Sequence, residues 1–184
     1  AIGAELATVA RTQQKLFPMV FNVGVVTSIP MLIAQRTLAP AFTLEASVKV
    51  ICREAPLKQL LGQLAVHEIV LVLSDQPVPS GLHATAYAHQ LGISGVSFFI
   101  RREDAKKYKK PFPECLNGAP ILLPSDASEM KRQLVEWLDE HRLNPNVVAE
   151  FDDSALLKAL GEAGGGVFPA PSAIEDEICR MYGA

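Results

Sequence analysis

The sequence predicts an α/β fold in two lobes, each a mostly parallel sheet flanked by helices, and three observations carry that reading. Strand-like and helix-like patterns alternate as β-α-β-α-β through the first half of the chain, the order of right-handed crossover units. The run Ile69 to Leu73 (IVLVL) is continuously apolar and too short for a typical helix, as expected of a central parallel strand covered on both faces. The length, 184 residues, exceeds one typical domain and accommodates one large or two small cores.

Composition narrows the class further. Apolar residues make up 49% and charged residues 20%, which suits a folded globular protein and excludes disorder. Seventeen Lys and Arg against twenty Asp and Glu leave a net charge of −3, so nothing is in excess to neutralise a run of phosphates, and the chain is not expected to touch DNA itself. The basic cluster from Arg101 to Lys110 is interleaved with Glu103 and Asp104 and reads as a solvated loop. Cys52, Cys115 and Cys179 are odd in number and far apart, which suits reduced thiols in the cytoplasm better than a disulfide framework or zinc site. No apolar run approaches the length that crosses a bilayer, and the N-terminus lacks the charged start and apolar centre of a signal peptide; no membrane partner is expected.

The elements follow in order. Ile2, Leu6, Val9, Gln13 and Leu16 share one helical seam with coiled-coil spacing, which fits the end of a coiled coil and an ordinary amphipathic helix alike. Val20 to Val26 is a buried strand, followed by Thr27, Ser28 and a helix carrying Ile29, Leu32 and Ile33. Ser47 to Cys52 is a second strand, and Pro56 occupies a favoured first helical position before a helix with Leu57, Leu60, Leu61 and Leu64 on one face. The IVLVL strand ends in Ser74 and Asp75, at the carboxyl end where open α/β sheets place ligands. His83 to His89 and Ser94 to Ile100 are extended passages from one lobe to the next. Ile121 to Leu123 is a short strand, Asp126 and Glu129 form a capping pair, and the helix beyond carries Met130, Leu134, Trp137, Leu138 and His141 on one stripe. Val147 to Phe151 is a strand, Leu156, Leu157 and Leu160 mark a short helix, and Gly164 to Gly166 stop it. A strand at Val167 and Phe168, a turn at Pro169 to Pro171 and a helix from Ser172 to about Met181 complete the chain, with Glu175, Asp176 and Glu177 favouring the positive start of that helix.

In order and spacing, FNVGVV at Phe21, LSDQP at Leu73, GVSFF at Gly95, KPFPECL at Lys110 and EFDDSALLKALG at Glu150 resemble the effector domain of LysR-type transcriptional regulators, in particular the sodium-responsive activators of antiporters. The resemblance implies a two-lobed type-2 periplasmic-binding-protein-like fold preceded by the end of a linker helix. Residues 1–18 would be that linker end, 19–90 the first part of lobe I, 91–168 lobe II, and 169–184 a return towards lobe I whose final strand and helix are absent. It implies a cytoplasmic regulator without cofactor, dimeric and in full length tetrameric, that reaches DNA only through an absent winged helix-turn-helix. Many members carry an acidic residue where this chain has Val70, so the effector class is expected to differ.

On that fold the effector cleft would lie between the lobes, lined by Thr27, Ser28, Asp75, Ser97, Ser125 and Ser172, and the dimer would bury the helices around Leu32 and Trp137. Helix starts suit an anion or carboxylate, while Thr27, Ser28, Ser125 and Ser172 are equally able to cap helices. Glu150, Asp152 and Asp153 form an acidic group able to hold a hard cation, although capping and dipole stabilisation explain it without an ion. The three consecutive glycines lack the flanking features of a phosphate loop, and His67, His83, His89 and His141 lack metal spacing. A transport-type solute-binding protein shares the two-lobed design, and a small α/β enzyme is the third class. Neither a nucleophile, a metal nor a cofactor motif supports the enzyme.

Overall fold

The computed structural model describes residues 19–43, 48–79, 86–125 and 128–182. The chain forms two compact units, Ala1–Ala88 and His89–Ala184. The N-terminal seam from Ile2 to Leu16, His83, and Asp126 of the capping pair lie outside the described residues.

Among the described residues, the first unit holds a three-stranded parallel sheet. Strands β1 (Met19–Val26), β2 (Val48–Ala55) and β3 (Leu71–Leu73) lie in the order β2-β1-β3. Helix α1 (Met31–Leu38) connects β1 to β2, and α2 (Leu57–Ala65) crosses from β2 to β3. Alternation along β1 sorts its side chains. Val23 and Val25 join Leu73 in a cluster with Ala34 and Leu38 of α1, whereas Val26 packs with Leu60 and Leu61 of α2. Gly24 sits under α2 because a Cβ there would come within 2.8 Å of Leu60 Cδ2. The unit is therefore wound on both faces.

Two expectations need correction here. Ile69 to Leu73 was expected as the central strand, but among the described residues the centre is β1, and β3 lies at one edge with Val70 58% exposed. An apolar run does not distinguish an edge from a centre when one face is still packed. Pro56 is the residue before α2 rather than its first residue, as Pro30 is for α1.

The second unit repeats the winding. Strands β5 (Pro120–Pro124) and β6 (Asn146–Phe151) pair in parallel, joined by α3 (Glu129–Glu140). Helix α4 (Ser154–Glu162) leads back to Val167, which bridges Ile121 in parallel on the other side of β5. The local order is thus β6-β5-Val167, the counterpart of β2-β1-β3. Ile121 and Leu123 face Leu134 and Leu138 of α3. Gly161 of α4 is pressed onto Phe168, whose ring a Cβ would overlap at 2.1 Å.

Strands β4 (Val96–Phe99) and β7 (Phe168–Pro171) form an antiparallel pair, and α5 (Glu175–Tyr182) follows a single helical turn at Ser172–Ile174. The stretch Pro169 to Pro171, expected as a turn, is strand. Ala170 and Phe168 oppose Ser97 and Phe99, so the prolines fall on alternate positions whose missing N–H groups a two-stranded ribbon does not need. Residues 86–95 carry no strand, and the extended segment shortens to Val96–Phe99. Gly164 and Gly166 take positive φ values of 90° and 148° directly after α4, the helix stop expected of them.

Candidate functional site

In the first unit the two crossovers place β2 and β3 on opposite sides of β1, so the boundary of β1 with β3 is a topological switch point. Ligands of open α/β sheets lodge outside the carboxyl ends of such strands. Val25 and Leu73 are paired, which brings the two following turns together although they are far apart in sequence. Ser28 Oγ donates to Asp75 Oδ1 at 2.8 Å, Thr27 is exposed beside it, and Ser74 Oγ exchanges hydrogen bonds with the Gln76 backbone at 2.9 Å. Three of the expected residues are thus brought to one place.

In the second unit Ser97 and Ser172 meet. Their hydroxyl oxygens are 2.7 Å apart, and Ser97 Oγ donates to Glu175 Oε2 at 3.0 Å. Ser97 has one proton, so Ser172 is the donor to Ser97 and the polarity runs Ser172 to Ser97 to Glu175. The Ser172 backbone N–H donates to the Gly95 carbonyl at 2.9 Å, which secures the start of the terminal helical turn against β4. Ser125 closes β5 differently, its N–H donating to the Phe151 carbonyl at 2.8 Å, so the carboxyl ends of β5 and β6 are tied together.

None of the four hydroxyl residues takes the position immediately before a described helix. The residues before α1, α3 and the Ser172 turn are Pro30, Ser128 and Pro171, none with a side-chain cap bond. Glu129 does not complete a capping box but accepts from Arg132 and from Gln133 Nε2.

The acidic group divides its labour. Glu150 accepts from Lys131 Nζ at 2.7 Å, and Asp153 caps α4 by accepting from the Ala155 and Leu156 backbone at 2.7 and 3.4 Å. Asp152 is exposed, and among the described residues no three His, Cys, Asp or Glu side chains are grouped to hold a metal ion. The histidines are also apart. The His141 ring lies tilted against Trp137 with centroids 4.4 Å apart, and His67 sits at φ 60° just beyond α2. All three cysteines are free.

Two residues of this edge escaped the sequence reading. Glu175 was taken only as a partner of the helix dipole, yet it ends the serine chain. Lys158 was not singled out, yet it is 4% exposed and shares the buried stripe of α4 with Leu157 and Gly161. Burial pushes its ammonium below the ordinary lysine value, with Asp153 opposing the shift. A charge at a core position of the pattern ALLKALG was the signal available.

A cavity of about 450 Å³ lies elsewhere, at the amino end of β5, with Lys107, Tyr108, Cys115, Gly118 and Gly164 in its wall. None of the expected site residues lines it. Beside it Arg101 and Lys107 bracket Asp104 at 2.8 and 2.5 Å, and the Arg101 hydrogen bond, then that of Lys107, holds the Asp104 carboxyl below its usual range. The basic cluster is therefore partly neutralised in place.

A family model described as the LysR substrate binding domain matches residues 19–178. The transcriptional activator protein NhaR of Escherichia coli (strain K12) is 31% identical over 154 residues, covering 84% of this chain and 50% of that protein. The chain spans about half the length of the curated relatives it matches. Among solved structures, the reduced regulatory domain of OxyR2 from Vibrio vulnificus has a TM-score of 0.63 at 18% identity, covering 90% of this chain and 77% of that one. The regulatory domain of CcmR from Synechocystis PCC6803, in complex with 2-PG, has a TM-score of 0.58 at 13% identity, covering 83% and 72%. At these identities the likeness is one of fold, the type-2 periplasmic-binding-protein-like α/β fold expected from the sequence.

Proposed function

The chain belongs to the LysR substrate-binding domain family, and on that premise we propose that it is the effector-sensing and dimerisation domain of a cytoplasmic, DNA-binding transcriptional activator. The match of one family model across both units is the observation that carries this reading. The effector is received by Thr27, Ser28 and Asp75 in the first unit and by Ser97, Ser125 and Ser172 in the second. Its class is that of an NhaR-like activator, a cation or proton signal or a small anion. The domain works by binding and performs no turnover, and DNA is engaged by another part of the full-length protein. Residues 1–18 are the linker end, 19–90 and 91–168 the two lobes, and 169–184 the return segment.

Signalling requires that the effector bind one arrangement of the protein better than another, since equal affinity shifts no equilibrium. Self-association runs through α1 around Leu32 and α3 around Trp137, with tetramers in the full-length protein. In support, α1 is rich in apolar residues yet buries none of them fully, with Met31 61% exposed, and Val135 on α3 is 41% exposed. No helix of the described residues is long and apolar enough to cross a membrane.

The test is a melting-temperature screen of the chain in sodium and potassium chloride and in potassium acetate, citrate and phosphate, together with gel filtration. A saturable rise with at least one solute and a dimeric elution volume are expected. No response to any solute, with a monomer persisting to high micromolar concentration, would contradict the proposal.

A further inference from the structure

Two lysines of the second unit are buried, and they are treated differently. Lys131 on α3 is 9% exposed and meets Glu150 at 2.7 Å. Lys158 on α4 is 4% exposed, and among the described residues no hydrogen bond or ion pair reaches its ammonium. The one nearby charge that acts on it, Asp153, already spends its Oδ1 on the Ala155 and Leu156 amides. Among the described residues Gln63 Oε1 is the buried side-chain polar atom without a hydrogen-bond partner, so the Lys158 stem is packed in the core while its ammonium keeps contact with water, charged, unpaired and open to an incoming anion.

The place of the charge indicates the use. Helical side chains lean towards the N-terminus of their helix. Helix α4 starts three residues after the carboxyl end of β6 at Phe151, and the Ser125 amide is bonded to the Phe151 carbonyl. Lys158 therefore leans towards the strand-carboxyl edge of the second unit, and the influence of Asp153 agrees with that direction.

We propose that Lys158 is a ligand-binding residue of the effector site, the counter-ion of a small carboxylate. The inference rests on the effector-sensing reading above and sharpens it from two ligand classes to one. An incoming carboxylate would supply the acceptor the folded chain lacks, and a charged hydrogen bond at a mostly covered side chain is stronger than one in open water. Lys131 offers no such opening because Glu150 occupies it.

The test compares the wild-type chain with Lys158→Met and Lys158→Gln by calorimetry and melting temperature in potassium acetate and potassium citrate, with sodium and potassium chloride as references. The wild type is expected to bind a carboxylate, both variants to bind it about tenfold or more weakly, and the Met variant to melt higher than wild type without ligand. Carboxylate affinity unchanged in both variants would overturn the role of Lys158 while leaving the effector-sensing reading intact. So would a wild type that responds to sodium and not to carboxylates. A wild type that responds to none of the solutes would overturn both.

Discussion

Each unit has one strand flanked on both sides by the products of its crossovers, β1 in the first and β5 in the second, and each fills the resulting edge with different chemistry. In the first unit the edge is a surface arrangement in which the Ser28 hydroxyl satisfies Asp75. In the second it combines a directed serine-to-glutamate chain with a lysine whose side chain is almost wholly covered and whose ammonium is unpaired among the described residues. The winding decides where a ligand can arrive, and the side chains decide which charge it should carry.

The packing beneath the two edges also differs, and this contrast produces the largest expected effects. Both units have a glycine where a crossover helix meets the sheet. A Cβ at Gly161 would overlap the Phe168 ring at 2.1 Å, whereas one at Gly24 would meet the movable ends of Leu60 and Ile69 at 2.8 and 2.9 Å. Gly161→Ala should cost about 3 kcal/mol and Gly24→Ala about 1 kcal/mol, since a rigid ring yields less than a methyl terminus. Denaturant unfolding followed by Trp137 fluorescence reports the first directly, because the only tryptophan is in the second unit. Equal costs would remove the contrast.

Next comes Lys158→Met, which should stabilise the chain by about 1 kcal/mol or more at neutral pH by removing an unpaired buried charge. The sign of its pH dependence follows from the lowered folded-state value. Folding disfavours the charged lysine, so this destabilisation is fully present below the folded value. It fades as pH rises from there towards the unfolded value of about 10.4. The gap between variant and wild type should close over that interval. A gap that widens with pH would mean the ammonium is stabilised in the fold.

The smallest effects belong to the hydroxyls. Ser97→Ala interrupts a half-buried chain and should cost about 1 kcal/mol, while Ser28→Ala on the more exposed edge should stay within about 0.5 kcal/mol. Chemical denaturation measures both. The reverse ranking would make the first unit the more tightly organised edge.

Much of this was legible in the sequence, for identifiable reasons. β1 and α2 announce themselves because their apolar spacing has one reading, and the carboxyl ends of β1 and β3 follow from the crossover order even though Ser28 and Asp75 are far apart. The edge position of β3 was hidden because an apolar run carries no record of its neighbours. β7 was hidden because proline is a turn residue until its alternation is set against a partner strand. Lys158 and Glu175 were missed for one shared reason: a charge in a short helix reads as solvated until burial or a hydrogen bond says otherwise.

The central claim, that the strand-carboxyl edges receive the effector, is tested most directly by amide NMR of the isotope-labelled chain titrated with potassium citrate and potassium acetate. Saturable shifts are expected at Ser28, Asp75, Ser125 and Ser172. Saturable shifts confined to Tyr108, Gly118 and Gly164, at the opposite end of β5, would contradict it.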